Sequence, residues 1–181
     1  MTFFDKTIYS VLNITRNKNT LHYLSKFSNI DGYNMIIPNL YLGNINEASN
    51  LDFLINKNIK GIVNCTEQEP YHQYFNNKKI YRLSINDSRE KDNIDKFKKE
   101  IINSIDFIDN CIEQNEPVYV HCYWGLMRSA TVVTGYLVKK YKIPYKDAIS
   151  IVQEKRPMAL SSLYNFNEVL EYVEKKYLVI N

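Results

Sequence analysis

The sequence predicts an α/β fold in which a central, mainly parallel sheet is flanked by helices. Two observations support this prediction. In the first two thirds of the chain, short apolar runs that resemble buried strands alternate with segments of helical periodicity, the order typical of parallel strands joined by crossover helices. After the last of these runs, every periodic segment is helical. We therefore expect the C-terminal part of the chain to cover the sheet with helices.

Length and composition indicate one folded domain. The chain has 181 residues, of which 45% are hydrophobic and 24% are charged, values close to those of ordinary globular proteins. We expect the domain to span residues 31–181 and to follow a helical arm at residues 1–30, where apolar residues recur near the helical period. The net charge of +3 is too small to indicate a nucleic-acid partner and weakly favours acidic or phosphorylated partners.

The apolar residues and the cysteines bear on compartment and cofactors. Polar residues interrupt the first thirty positions, so we expect no secretory signal, and no stretch is long enough to suggest a membrane span or a membrane partner. The three cysteines lack the spacing of a zinc site or a disulfide framework. This favours a reducing compartment, cytoplasmic or otherwise intracellular, and predicts no metal site.

The strands come first along the chain. Four short runs have strand character: residues 35–37, 40–42, 61–65 and 80–83. Pro38 separates the first two, and Asn44 is suited to cap a helix that continues to Ile55. The remaining two runs are bounded by polar residues, as expected of strands buried inside a sheet.

Helical patterns dominate the rest of the chain. From Ile94 to Ile112, apolar residues step by three or four positions and form one stripe on a helix of about 20 residues. Four further elements follow: a central strand at residues 117–121, a buried helix at 130–138, a helix with Pro144 in its first turn, and a last helix after Ser161 or Ser162.

A cysteine and an arginine flank the turn between the central strand and the next helix. Cys122 follows the strand, Gly125 lies midway and Arg128 opens the helix. Such a loop can turn successive backbone N–H groups inward and form a cradle for a tetrahedral anion. The same field lowers the pKa of a thiol, so we expect Cys122 to be a thiolate that attacks phosphorus. The guanidinium of Arg128 can hold two phosphate oxygens.

The leaving oxygen of such a reaction needs a proton donor. Asp87 lies 35 positions before Cys122, in the loop after the 80–83 run, and is the favoured general acid and later base. Asp92, five positions further on, is the competing candidate, although it lies in a charged stretch nearer the next helix. Ser129 is suited to donate its hydroxyl to the sulfur and so help the thiolate leave in the second step.

The segment His121-Cys122-x-x-Gly125-x-x-Arg128-Ser129 resembles the signature of cysteine-based protein phosphatases of the small dual-specificity type. Further similar segments are residues 39–44, residues 62–70, Asn86-Asp87 and Arg156-Pro157, and the resemblance extends over residues 33–177. It implies a parallel-centred sheet and hydrolysis of phosphotyrosine, phosphoserine and phosphothreonine without a metal or an organic cofactor.

The resemblance also implies a role for each candidate residue. Cys122 would be the nucleophile, Arg128 the phosphate clamp and Asp87 the acid, with Arg156 as an auxiliary phosphate contact. The cradle would consist of Tyr123, Trp124, Gly125, Leu126, Met127 and Arg128. Met127 departs from the small residue frequent at its position, and the bulky Trp124 is expected to form an aromatic wall at the rim.

Other functions share part of this pattern. A phosphate-binding scaffold or inactive phosphatase would not need Cys122, Arg128, Ser129 and Asp87 together. A phosphoinositide phosphatase would favour lysine in the loop, which has none, and an RNA 5′-phosphatase would favour a basic stripe with interleaved aromatic residues. A sulfur-transfer protein would not require the upstream acid. We therefore expect phosphorylated proteins as partners, and a homodimer through residues 1–30 remains open.

Overall fold

The computed structural model describes residues 31–69, 79–161 and 166–178 of the chain. The predicted helical arm at residues 1–30, and any homodimer formed through it, lie outside the described residues. Within those residues, one sheet carries helices on both of its faces. None of the helices in this part of the chain is long and apolar enough to cross a bilayer.

Five strands form the sheet. They are β1 (Tyr33–Ile37), β2 (Leu40–Gly43), β3 (Gly61–Asn64), β4 (Lys79–Arg82) and β5 (Val118–His121). Their spatial order is β1-β2-β5-β3-β4, with β1 antiparallel to β2 and the other neighbours parallel. The prediction of a mainly parallel sheet with a central strand near residues 117–121 is confirmed.

The register of the sheet places three strand ends side by side. Gly43 of β2 and Asn64 of β3 both lie opposite His121, the last residue of β5. Because these strands are parallel, their carboxyl ends meet at one edge of the sheet. The loop after His121 therefore starts at the edge where open α/β sheets bind their ligands.

In the described parts of the chain, six helices flank the sheet. They are α1 (Ile45–Ala48), α2 (Leu51–Asn56), α3 (Lys91–Glu113), α4 (Arg128–Tyr141), α5 (Tyr145–Lys155) and α6 (Asn167–Leu178). The prediction of one helix from Asn44 to Ile55 is wrong, because the segment forms two. Asn44 accepts a hydrogen bond from the backbone N–H of Glu47 and Asn50 accepts one from that of Phe53, each at 3.1 Å. Each asparagine thus starts its own helix.

Alternating side chains of β5 separate two apolar clusters. Val118 and Val120 join the larger cluster with α3 to α6, whereas Tyr119 joins the smaller cluster with α1 and α2. Helix α4 packs against α3, α5, α6 and β5 and is buried from Arg128 to Val138. Because α4 is enclosed in this way, the side chains of its first turn have fixed positions at the edge of the sheet.

Candidate active site

The active-site loop, residues 122–128, turns sharply between β5 and α4. Gly125 has a φ of +69°, and a Cβ at this residue would overlap the backbone of Gly43 at the end of β2. Both observations require glycine at this position. The backbone N–H of Ile45 donates to the carbonyl of Tyr123 at 3.2 Å, which ties the start of the loop to α1. The loop is therefore held against the carboxyl edge of the sheet.

The thiol of Cys122 is 2% exposed and lies among hydrogen-bond donors. Its Sγ accepts hydrogen bonds from the backbone N–H of Gly125 and from the hydroxyl of Ser129, each at 3.2 Å. Burial by itself raises the pKa of the thiol. The charge of Arg128, the Ser129 hydroxyl and the backbone N–H groups of Ser129 and Leu126 outweigh burial and hold the pKa of Cys122 below its ordinary value.

Arg128 connects the active-site loop to the ends of two other strands. Its Nη1 donates to the carbonyl of Cys65 at 3.3 Å and to that of Ile85 at 3.0 Å, and its Nη2 lies 3.5 Å from the carboxylate of Asp87. Its Nε is buried and has no hydrogen-bond partner among the described residues. The guanidinium is therefore fixed in place, and its Nε–H is available for a bound anion.

The outward-facing carbonyls of the active-site loop are hydrogen-bonded to the segment that follows α5. Arg156 donates from Nε to the carbonyl of Gly125 at 2.8 Å and from Nη2 to that of Trp124 at 3.1 Å. The backbone N–H of Leu160 donates to the carbonyl of Leu126 at 2.9 Å. Three successive carbonyls of the loop thus point away from the thiol.

These bonds determine where the loop directs its N–H groups. In a trans peptide, the carbonyl of one residue and the N–H of the next point in opposite directions. Holding the carbonyls of residues 124–126 outward therefore turns the N–H groups of residues 125–127 inward. The N–H of Gly125 does point at the sulfur of Cys122. The loop is arranged as an anion cradle before any ligand binds.

Arg156 lies behind the active-site loop. Its Nη1 donates to the carbonyl of Asp31 at 2.9 Å and to Oδ1 of Asn34 at 2.6 Å, so all three guanidinium nitrogens have acceptors within the protein. The side chain is 2% exposed. The donors of Arg156 thus hold the loop from behind, and its part as an auxiliary phosphate contact stays a prediction.

Asp87 and Asp92, the two candidates for the proton donor, lie in different surroundings. Asp87 is in the loop between β4 and α3, and its carboxylate lies beside the guanidinium of Arg128. Asp92 is exposed in the first turn of α3, where a carboxylate interacts favourably with the helix N-terminus. The geometry favours Asp87, because Arg128 is itself anchored in the active-site loop.

The pKa values of one histidine and of the two other cysteines are shifted in the direction that favours their neutral forms. Burial lowers the pKa of His121 to about 3, and its ring stacks on Tyr119 at a centroid distance of 5.7 Å. Burial raises the pKa of Cys65 well above its ordinary value, and the charge of Cys122 raises it further. Burial also raises the pKa of Cys111. Among the three cysteines of the chain, Cys122 alone has a lowered pKa.

Aromatic side chains form the exposed rim of the active-site loop. Tyr123 and Trp124 are 38% and 44% exposed, and their rings meet edge to face at a centroid distance of 5.1 Å. Leu126 is partly exposed, and Met127 packs against the larger apolar cluster. The bulk of Met127 is thus accommodated by the core, and the aromatic wall expected of Trp124 stays a prediction.

Sequence reasoning missed three residues that organise the site. Asn34 and Leu160 support the active-site loop, and Asn93 hydrogen-bonds to the loop that carries Asp87. None of them belongs to a motif with a recognisable spacing. The Arg156-Pro157 pair was the one signal that pointed to the segment after α5, and it did not indicate that Arg156 supports the loop.

Comparison with known proteins agrees with this geometry. Residues 40–175 match the family described as "Dual specificity phosphatase, catalytic domain". The chain belongs to this family. The matched residues run from the start of β2 into α6 and include Asp87, Cys122 and Arg128.

Individual members illustrate the similarity. Dual specificity protein phosphatase 16 of Homo sapiens is 31% identical over 145 residues, which are 80% of this chain and 21% of that protein. Dual specificity protein phosphatase 1 of Arabidopsis thaliana is 32% identical over 146 residues, 80% of this chain and 70% of that protein. The crystal structure of the human tyrosine phosphatase-like serine/threonine/tyrosine-interacting protein superposes with a TM-score of 0.70 at 27% identity, covering 81% of this chain and 98% of that one. The chain spans about a fifth to a third of the length of its human curated relatives.

Proposed function

We propose that this chain hydrolyses phosphate monoesters on tyrosine, serine and threonine residues of phosphorylated proteins through a phosphocysteine intermediate. The observation that carries the proposal is the environment of Cys122. Its sulfur accepts hydrogen bonds from Gly125 and Ser129, and the charge of Arg128 lowers its pKa, inside a loop whose N–H groups face inward. A nucleophile in an anion cradle is suited to attack a phosphate.

In the first step, the Cys122 thiolate attacks the phosphorus of the bound ester. The bond between phosphorus and the ester oxygen breaks, and that oxygen takes a proton from Asp87. The inward N–H groups of the active-site loop and the guanidinium of Arg128 offset the charge on the three other phosphate oxygens. This step yields the free alcohol or phenol, a phosphocysteine and an ionised Asp87.

In the second step, water attacks the phosphorus and gives a proton to Asp87. The bond between sulfur and phosphorus breaks, and inorganic phosphate is released. The Ser129 hydroxyl, 3.2 Å from Sγ, stabilises the thiolate as it leaves. The nucleophile and the acid have then returned to their starting forms, so the cycle is complete.

Features of the rim and of the loop favour phosphorylated proteins over the other substrate classes. The loop carries no lysine that could meet the additional phosphates of a phosphoinositide headgroup. Its exposed side chains are Tyr123 and Trp124, which suit contact with a peptide or an aromatic ring. A non-catalytic scaffold is disfavoured because the thiol of Cys122, the carboxylate of Asp87 and the guanidinium of Arg128 are all present in one site, and binding alone would not need all three.

The cysteines support a reducing compartment as the place of action. Cys65, Cys111 and Cys122 are all free. The proposed reaction needs the sulfur of Cys122 as a thiolate, and oxidation would remove that nucleophile. We therefore place the proposed activity in the cytoplasm or another reducing interior.

Turnover by the intact chain and by Cys122→Ser tests this function. The substrates are matched phosphotyrosine and phosphothreonine peptides, a soluble phosphoinositide and an RNA 5′-phosphate. We expect the unaltered chain to release phosphate from both peptides and Cys122→Ser to release none. Mass spectrometry after an acid quench should find phosphate on Cys122. Turnover by Cys122→Ser, or hydrolysis confined to the phosphoinositide or the RNA, would contradict the proposal.

A further inference from the structure

The side chain of Asn93, in the first turn of α3, is hydrogen-bonded to the loop that carries Asp87. Asn93 donates from Nδ2 to the carbonyl of Asn86 at 2.9 Å and to that of Ser88 at 2.6 Å. Its Oδ1 accepts from the backbone N–H of Asn86 at 3.2 Å. The amide therefore uses both donors and its acceptor on the backbone of the residues directly before and after Asp87.

The helix that carries Asn93 is anchored in the larger apolar cluster. Helix α3 has 23 residues and buries a stripe of apolar side chains in the larger cluster, beginning with Ile94 and Phe97 next to Asn93. Additional hydrogen bonds tie the loop to itself and to the helix: the N–H of Glu90 donates to Ser88 Oγ at 3.1 Å, and Lys96 donates to the carbonyl of Ser84 at 2.8 Å. The first of these bonds reaches the side chain of Ser88 and the second reaches a residue three positions before Asp87, so neither holds the backbone on both sides of Asp87.

We propose that Asn93 is a positioning residue for the general acid Asp87, holding the backbone on either side of it so that its carboxyl group faces the scissile ester oxygen. The proposal rests on the proposed function, since it assigns a part in the protonation of the leaving group. The carboxyl side chain of Asp87 is 48% exposed and meets the guanidinium of Arg128 at 3.5 Å. With so few constraints on the side chain, the backbone must supply the orientation that proton transfer requires.

A purely structural role for Asn93 makes a different prediction. Capping is one such role, but the N-cap residue of α3 is Glu90, and it makes no side-chain cap bond. If Asn93 merely stabilised the helix start, its loss would lower stability and affect every substrate alike. If it positions the acid, its loss affects chiefly the substrates whose leaving group needs a proton.

A pair of aryl phosphates with poor and good leaving groups separates these roles. Phenyl phosphate leaves poorly without protonation, whereas a fluorinated coumarin phosphate leaves well. We expect Asn93→Ala to lower kcat for phenyl phosphate by about tenfold or more, a part of what a general acid contributes, and to change kcat for the coumarin ester little. The isosteric Asn93→Asp keeps an acceptor for the N–H of Asn86 but loses both donors. If Asn93→Ala folds poorly, we expect Asn93→Asp to show the same selective loss of kcat on phenyl phosphate.

The double variant Asp87→Ala/Asn93→Ala provides the decisive comparison. If Asn93 acts through Asp87, the double variant should be no slower on phenyl phosphate than Asp87→Ala, because the acid is already absent. Asn110→Ala, an exposed substitution near the other end of α3, controls for general effects on the helix. Equal losses on both esters, or losses that multiply in the double variant, would overturn the proposal. Failure of the proposed function is recognised separately, by turnover that survives in Cys122→Ser.

Discussion

Two buried cysteines, Cys65 and Cys122, have pKa values that are shifted in opposite directions. Burial raises the pKa of both Cys65 and Cys122, but at Cys122 the guanidinium of Arg128, the hydroxyl of Ser129 and the inward N–H groups reverse that effect. At Cys65, burial and the nearby charge of Cys122 act in the same direction, and Arg128 offsets them only in part. The chemistry of a thiol therefore depends on the donors around it more than on its exposure.

Selective alkylation should report this difference. We expect iodoacetate to modify Cys122 with a pH midpoint below the ordinary thiol value of about 8.5, since the thiolate is the reacting form and its pKa is lowered. Reaction should decline as the pH falls through that lowered pKa. Cys65 and Cys111 should stay unmodified because burial raises their pKa values. Peptide mass mapping across a pH series measures all three cysteines at once.

Ser129→Ala tests the cause of the lowered pKa. Without the hydroxyl that donates to Sγ, the alkylation midpoint of Cys122 should move to higher pH. Thr134→Val is the matched control, because Thr134 is also buried on α4 and its hydroxyl has no hydrogen-bond partner in the described part of the chain. An unchanged midpoint in Ser129→Ala, or an equal movement in Thr134→Val, would contradict this explanation.

Single substitutions decide whether Asp87 or Asp92 is the general acid. We expect Asp87→Ala to lower kcat on phenyl phosphate by about 10²-fold or more and to remove the basic limb of the pH profile, since protonation of the leaving group is lost. Asp92→Ala should leave kcat nearly unchanged and affect the start of α3 instead. Initial rates across pH for both variants measure this. A large loss in Asp92→Ala with normal Asp87→Ala would reverse the assignment.

At the scale of elements, the active-site loop is held between two supports. On the inside, the end of β2 leaves no space for a side chain at Gly125. On the outside, Arg156 and Leu160 hold the carbonyls of Trp124, Gly125 and Leu126. Leu160 adopts a φ of +54°, which is unfavourable for leucine. The residue with this unfavourable backbone conformation is the one whose N–H donates to the carbonyl of Leu126 in the loop.

Arg156→Lys distinguishes support of the loop from contact with phosphate. Lysine keeps the positive charge but lacks the planar fork that reaches several acceptors at once. We expect Arg156→Lys to weaken inhibition by vanadate and to lower the free energy of unfolding by about 2 kcal/mol or more, because buried carbonyls lose their donors. Vanadate titration and thermal unfolding measure the two effects.

Direct contact between Arg156 and phosphate would give different results. If Arg156 bound phosphate through its charge, lysine would retain most of the affinity for vanadate. Arg156→Met would then lose that affinity with little change in unfolding. Asn34→Ala removes an acceptor of Arg156 while keeping the arginine itself, and it should weaken vanadate inhibition in the same direction as Arg156→Lys.

At the scale of the whole molecule, the site is assembled from chain segments far apart in sequence. The carbonyls of Cys65 and Ile85 anchor Arg128, the loop after β4 supplies Asp87, and the segment after α5 supports the active-site loop. The loops among these segments meet because the carboxyl ends of the parallel strands β2, β5, β3 and β4 lie at the same edge. The topology of the sheet is thus what converts separate loops into one site.

Much of this arrangement could be predicted from the sequence because its signals are local. The α3 stripe, the apolar run of β5 and the spacing of Cys122, Gly125 and Arg128 each depend on neighbouring residues. The prediction of a single helix from Asn44 to Ile55 was wrong for a local reason too. Asn50 caps the start of a second helix, and the prediction did not consider this.

The sequence by itself determined the α/β class and predicted the nucleophile and the loop that encloses it, because helix and strand periodicity and the motif spacing are properties of adjacent residues. Only the tertiary structure decided that Arg156 supports the loop and that Asn93 holds the backbone on either side of Asp87. Those hydrogen bonds join groups whose separation depends on how strands and helices pack. A distance set by packing leaves no trace in the spacing of residues along the chain.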